Sequence, residues 1–194
     1  MSHRDKYGSY AELSEREAEG RDYRIRSLPA DGSVVGILAP HGGKIEFLTS
    51  ELARSIAGSE HNFYAFEGIK RNNNADLHVT SSNFDEPNAL ELVRSCDVVV
   101  TIHGLGSGEM RAQVGGRDDA LRSRIVQNLK AAGFQCSAEA VGPFAGTDAQ
   151  NICNRGRSGA GAQIEICAGL RRTLQEDKVK YGEFAAAVRA ALAP

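Results

Sequence analysis

Two apolar runs that each end in histidine and glycine constrain this chain more than any other feature. The first is VVGILAPHGGKIE at residues 34–46, and the second is DVVVTIHG at residues 97–104. Val34, Val35, Ile37 and Leu38 suit a central strand, as does the unbroken β-branched run over 98–102. Pro40, Gly42 and Gly43 then force a sharp turn and leave His41 at its strand's carboxyl end. His103 occupies the matching place on the second strand. In an open α/β sheet that end is where ligands bind. Glu46 lies five positions after His41, far enough to round the turn and point back, so the two side chains can share one cation.

Whether the chain needs such a cation to fold is a question of size. With 194 residues it is long enough for one domain, 1–194, that buries roughly 70% of the surface of its unfolded form. A metal would therefore serve chemistry rather than folding. The 23 basic and 25 acidic residues leave a formal charge of -2, which argues against nucleic-acid and membrane-surface partners. No stretch interleaves basic with aromatic side chains, the pattern expected of a single-strand binder. Cys96, Cys136, Cys153 and Cys167 form no CxxC pair and read as reduced core residues of a cytoplasmic protein. The first twenty residues contain no apolar signal core, and no window approaches the about 20 apolar residues of a membrane span. The expectation is a cytoplasmic chain, with release by lysis if it is phage-derived. No pattern sets an oligomeric state, and a monomer is compatible with the sequence.

Around the two anchor strands, helical and strand periodicities alternate. Ser9 followed by Glu12 predicts a capped helix over 10–17, and residues 22–27 an edge strand. A helix over 49–57 is closed by Gly58, and a strand follows over 62–66. The asparagine-rich passage 68–87 reads as a long loop holding a short strand at 77–80. Pro87 opens a helix to about residue 95. Gly104, Gly106 and Gly108 read as a flexible loop, and Gly115-Gly116 precede a helix over 118–132, which a strand over 134–140 follows. Thr147 or Asp148 would cap a short helix through residue 153. The turn at 156–161 delivers a strand over 162–167, on which Ile164 and Ile166 face one side and Gln163, Glu165 and Cys167 the other. An amphipathic helix over 181–192 closes the chain. This alternation favours a mixed, mostly parallel sheet covered by helices.

A lone histidine after a strand is more often structural than a ligand. Two of them at equivalent strand ends, one with a carboxylate in reach, are what a catalytic zinc requires, because two imidazoles and a carboxylate leave one position for water. Glu165 is the candidate proton carrier, since burial between Ile164 and Ile166 would raise its pKa towards that of a working base. The blander reading pairs it with an arginine or places it on a solvated face. Asn154 and Arg155 offer amide and guanidinium donors for a substrate carboxylate. Loop arginines are usually surface charges, and that alternative stands here.

Four ordered motifs carry a resemblance: APHGGKIE at 39–46, LHVTSSNFDEP at 77–87, IHG at 102–104 and NICNRGRSGAGAQIEI at 151–166. Together they resemble the phage-type poly-γ-glutamate hydrolase family over residues 7–172. The resemblance implies a zinc-dependent amidohydrolase with one Zn2+ and a fold similar to the zinc carboxypeptidases, an open α/β/α sandwich with a mixed sheet. It implies that His41, Glu46 and His103 bind zinc and that Glu165 is the general base. It also likens Asn154 and Arg155 to the carboxylate-binding pair of the carboxypeptidases. The implied substrate is poly-γ-glutamate or a related γ-linked or D-amino acid amide, whose free carboxylates call for arginines. Arg122 is a further candidate for that role, with Arg71 and Arg117. His78 and Asp85 would orient the ligands from behind, or Asp85 would cap the helix after Pro87. Residues 70–76 and 104–116 match the family pattern less well and are expected to line the substrate groove. Two other readings remain open: a zinc deacylase of small N-acyl or D-aminoacyl compounds, and a non-enzymatic binding module with structural histidines.

Overall fold

The computed structural model describes residues 5–138 and 142–193. Among these, the strands are β1 (Tyr23–Leu28), β2 (Val35–Gly43), β3 (Asn62–Gly68), β4 (Val98–Leu105), β5 (Arg111–Gly116), β6 (Gln135–Ser137) and β7 (Ala162–Cys167). They form one mixed sheet in the order β1-β3-β2-β4-β7-β5-β6. The run from β3 through β2 and β4 to β7 is parallel, as is the β5–β6 pair, while β1 and β5 run antiparallel to β3 and β7. The helices are α1 (Tyr10–Ser14), α2 (Thr49–Ala57), α3 (Pro87–Arg94), α4 (Asp119–Ala131), α5 (Ala168–Glu176) and α6 (Lys178–Ala190). No helix among the described residues is long and apolar enough to cross a membrane.

Helices cover both faces of the sheet. On one face Leu52, Ile56, Ile125, Leu129, Leu170 and Phe184 of α2, α4, α5 and α6 pack on Ile37, Val100 and Ile164. On the other, Leu13 of α1 and Leu92 and Val93 of α3 pack with Leu38, Tyr64 and Phe66. The crossover through α2 carries the chain from β2 to β3 on one side, and that through α3 carries it to β4 on the other side of β2. The carboxyl end of β2 is therefore a point where the winding reverses, and there an open sheet leaves a crevice.

Local chemistry explains most boundaries. Asp118 accepts from Leu121 N at 2.9 Å to start α4, and Glu86 accepts from Ala89 N at 2.8 Å to start α3 behind Pro87. Asp177 caps α6, which begins earlier than its periodicity suggested. α1 is shorter than expected, although Ser9 does accept from Glu12 N at 3.1 Å.

Three expectations differ from the structure. Residues 77–80 are not a strand: His41 Nε2 takes the Val79 carbonyl at 2.8 Å and the Asp5 carboxylate takes Thr80 N at 2.6 Å, so side chains occupy the backbone groups a neighbouring strand would need. The loop expected from Gly104 to Gly108 begins later, because β4 runs on to Leu105, and Arg111–Gly116 forms β5, a strand the sequence pattern did not announce. The short helix near 147–153 is a single 3-10 turn, Ile152–Asn154, capped by Asn151 rather than by Thr147 or Asp148. The strand expected over 134–140 forms at Gln135–Ser137, and its positions 139 and 140 lie outside the described residues.

Candidate metal centre

His41 owes its position to an irregularity in β2. The β2–β3 register steps from Ala39↔Ala65 to Gly42↔Glu67, so β2 holds one extra residue across Pro40 and His41. Such a bulge re-aims a side chain, and proline suits it because it has no N–H to lose. The turn beyond requires glycine. A Cβ on Gly42 would overlap Ser50 Oγ, and Gly43 has φ +62 with the Gly68 carbonyl 2.6 Å from where its Cβ would stand.

Glu46 is brought back by the same turn. Its N–H donates to His41 O at 3.0 Å, Thr49 Oγ1 donates to its carbonyl at 2.7 Å, and its Oε2 accepts from Gly104 N at 2.8 Å. The glycine in IHG has a second reason. A Cβ at Gly104 would stand 2.5 Å from the guanidinium carbon of buried Arg171, which donates to the carbonyls of Ile166, Phe47 and Leu105.

Three imidazoles converge on Glu46. His41 Nδ1 is 3.4 Å from Glu46 Oε1, and His103 Nδ1 is 3.9 Å from Glu46 Oε2 and 3.2 Å from His41 Nδ1. His78 reaches the same place from the 77–87 segment, with Nε2 4.0 Å from Glu46 Oε1 and its ring 4.0 Å from that of His41. Ligand atoms of His41, Glu46 and His78 all lie within 4.8 Å of one another, which makes a potential metal site. Each ring is fixed at its far nitrogen: His41 Nε2 by Val79 O, His103 Nε2 by Thr101 Oγ1 at 3.1 Å, and His78 Nδ1 by Asp5 Oδ1 at 2.6 Å.

This donor set fits a divalent ion. Tetrahedral zinc with bonds of about 2.0–2.1 Å separates its ligand atoms by roughly 3.3–3.4 Å, close to the distances found. Electrostatics agree for Glu46 and His103, while His41 would have to give up its proton to the ion. Burial alone would lower His41, but the Glu46 charge raises it, and burial alone would raise Glu46, but His41 holds it at about 2. Burial and then the His41 charge push His103 down to about 3, which keeps that imidazole neutral. A neutral imidazole and an ionised carboxylate are the forms that ligate metal.

Glu165 faces the cluster from β7, in register with His103 on β4 and Gln113 on β5. Burial first, and the Glu46 charge second, raise it to about 8. Gln163, two positions earlier on the same face, donates to Glu165 Oε1 at 3.3 Å and to Phe144 O at 2.9 Å. Its own oxygen accepts from Asn151 Nδ2 at 2.8 Å. Glu165 and the four cluster side chains line one cavity of about 570 Å³, together with Asn151, Gln163 and Ser81.

The arginines expected at the substrate are elsewhere. Arg122 pairs with Asp119 at 2.6 Å and donates to Ala138 O at 2.6 Å, while Arg155 donates to Phe84 O at 3.3 Å. Neither lines the cavity, nor do Arg71 and Arg117. Asn154 is buried with its amide fully engaged: Nδ2 donates to Gly146 O and Asp148 O at 2.7 and 2.8 Å, and Oδ1 accepts from Gly161 N at 3.1 Å. It braces two loops rather than meeting a ligand. Asp85 neither orients a ligand nor caps α3. Its Oδ1 accepts from Tyr10 N at 2.6 Å and so anchors α1. His78, expected behind the ligands, points a ring nitrogen into the centre. Thr101 and Gln163 were missed, although each sits two residues before a candidate on a strand and so on the same face. Asp5 had no such signal.

A mixed sheet of this topology, with imidazoles and carboxylates gathered at its winding reversal, defines an α/β protein with a potential metal site at the carboxyl end of its central strands. The sequence model for "Poly-gamma-glutamate hydrolase" matches residues 7–185, and the chain belongs to that family. It is 42% identical over 173 residues to the SPbeta prophage-derived protein YoqZ of Bacillus subtilis, covering 88% of this chain and 61% of that relative. The chain thus spans about three fifths of YoqZ. A bacteriophage poly-gamma-glutamate hydrolase superposes with a TM-score of 0.91 at 32% identity, over 98% of this chain and 97% of that one. The apo, zinc-free form of YndL superposes with a TM-score of 0.90 at 34% identity, over 97% and 98%.

Proposed function

We propose that this chain is a zinc-dependent hydrolase of γ-glutamyl amide bonds that acts on poly-γ-glutamate or a related γ-linked or D-amino acid amide. The observation that carries the reading is the convergence of His41 Nδ1, His103 Nδ1 and the Glu46 carboxylate, 3.2 to 3.9 Å apart, beside buried Glu165. Family membership and the similarity to a phage poly-gamma-glutamate hydrolase support it. His41, Glu46 and His103 would hold one zinc ion, and His78 turns its Nε2 to the same point from the cavity side. When bound, zinc supplies Lewis-acid polarisation of the scissile carbonyl and lowers the pKa of water.

The chain's own groups do the rest. Glu165 takes the proton of the attacking water and returns it to the leaving amine. Its raised pKa reflects a burial that Gln163 alone does not offset, and a cation at the cluster opposes the Glu46 charge and so favours the ionised, proton-accepting form. Gln163, steadied by Asn151, keeps the carboxylate aimed. The backbone N–H of Gly104 holds Glu46 so that its other oxygen faces His41.

The test is hydrolysis of poly-γ-glutamate, followed as new amines, by protein that has been dialysed against a chelator and then titrated with zinc. Activity is expected to vanish on dialysis and return with one zinc per chain. Zinc-loaded protein that cleaves small N-acyl or D-aminoacyl compounds and leaves the polymer intact would move the reading to a deacylase.

A further inference from the structure

The segment ahead of α1 places a carboxylate at the centre from far away in sequence. Asp5 Oδ1 accepts from His78 Nδ1 and Asp5 Oδ2 from Thr80 N, each at 2.6 Å, so both oxygens are fixed. The segment is itself docked: Lys6 reaches Asp76 at 3.0 Å, buried Tyr7 donates to Glu17 at 2.7 Å, and Asp85 anchors the start of α1. An imidazole that donates its Nδ1–H to a carboxylate keeps its lone pair on Nε2, the atom of His78 that faces Glu46. A carboxylate behind a metal-binding histidine fixes ring orientation and tautomer and raises ligand basicity.

We infer that Asp5 is a positioning residue of the metal centre, which holds His78 as a further donor to the ion that His41, Glu46 and His103 would hold and makes the N-terminal segment part of the site. The inference rests on the reading of the cluster as a zinc site. The experiment measures zinc affinity of the full chain by competition with a chromophoric chelator, and the visible spectrum after loading with Co2+. Asp5→Ala is expected to weaken zinc binding 10–100-fold and to alter the Co2+ bands. Asp5→Asn, which keeps the size and removes the charge, is expected to show a smaller loss and serves if the alanine variant does not fold. Asp85→Ala loosens the same segment without touching His78, and is expected to lower the melting temperature of the metal-free protein while zinc affinity stays within about twofold. Wild-type affinity in both Asp5 variants would overturn the inference alone, as would an equal loss in Asp85→Ala. A wild-type chain that binds no zinc would instead overturn the metal reading and the inference with it.

Discussion

Replacing Glu165 with glutamine tests the site through stability, independently of catalysis. In the metal-free protein the Glu165 carboxyl titrates at about 8, against 4.5 when unperturbed, because it is buried and then because Glu46 is charged. The folded value is the higher one, so between the two the folded state binds the extra proton. Stability is full below about pH 4.5, falls as pH rises towards 8, and then levels off. At pH 7 the span already crossed is about 2.5 pH units, a penalty of about 3 kcal/mol relative to a neutral isostere, rising to about 5 kcal/mol above pH 8. Glutamine keeps the shape and an acceptor for Gln163 Nε2 and cannot ionise. Urea denaturation of chelator-treated protein should therefore show Glu165→Gln more stable by about 2–3 kcal/mol at pH 7 and indistinguishable near pH 4.5. A variant no more stable than wild type at pH 7 to 8.5, or a gap that does not change with pH, would refute the buried, charge-opposed carboxyl. With zinc restored, the same variant is expected to lose hydrolysis by about 10²–10⁴-fold.

Other consequences follow from the same contacts. Zinc at a hundred times its dissociation constant should stabilise the chain by about 2.7 kcal/mol, seen as a rise in melting temperature that a chelator reverses and that His41→Ala lacks. Asn154→Ala leaves buried loop carbonyls without their donor and should cost about 1–3 kcal/mol in denaturation, with KM for the polymer unchanged. Arg122→Ala should also leave KM unchanged. Asp85→Ala removes the anchor of α1 and should cost about 1 kcal/mol, with hydrolysis at saturating zinc retained.

What the sequence disclosed depended on whether a residue's role follows from its neighbours in the chain. Thr49–Ala57 and Ala162–Cys167 form as their periodicities indicate, because each presents an apolar stripe that only one kind of element can bury. β5 was hard to read because the alternation in RAQVGG lasts only four residues before two glycines, and its conformation comes from the slot between β7 and β6. His41, His103, Glu46 and Glu165 were visible as candidates because strand ends and turns announce where their side chains go. Asp85 suits a cap for the helix after Pro87, yet its carboxylate instead anchors the start of α1, 75 positions away in sequence. Asp5 could not be found at all, since its partner His78 is 73 positions off and nothing local demands a carboxylate. Asn154 misled for the opposite reason: its neighbours suggested a substrate clamp, but the fold needs its amide to tie together the carbonyls of Gly146 and Asp148.

The charge of the cavity bears on how an anionic polymer enters. Among the described lining residues there is no lysine or arginine, whereas Asp5, Glu46, Asp148 and Glu165 are all present, and the whole chain carries a formal charge of -2. The proposed substrate, poly-γ-glutamate, would keep a free carboxylate on every residue, so outside the immediate reach of the metal centre this acidic lining would repel it. Salt shortens the range of that repulsion, with a Debye length of about 30 Å at 0.01 M and about 8 Å at 0.15 M. KM for the polymer is therefore expected to fall between those ionic strengths while kcat, set inside the cavity, stays constant. Substrate-binding arginines of the kind the family resemblance calls for predict the reverse, because screening would weaken an attraction. A KM that rises with salt would show that basic side chains lie on the substrate's path after all, and that the cavity lining alone does not describe how the polymer is held.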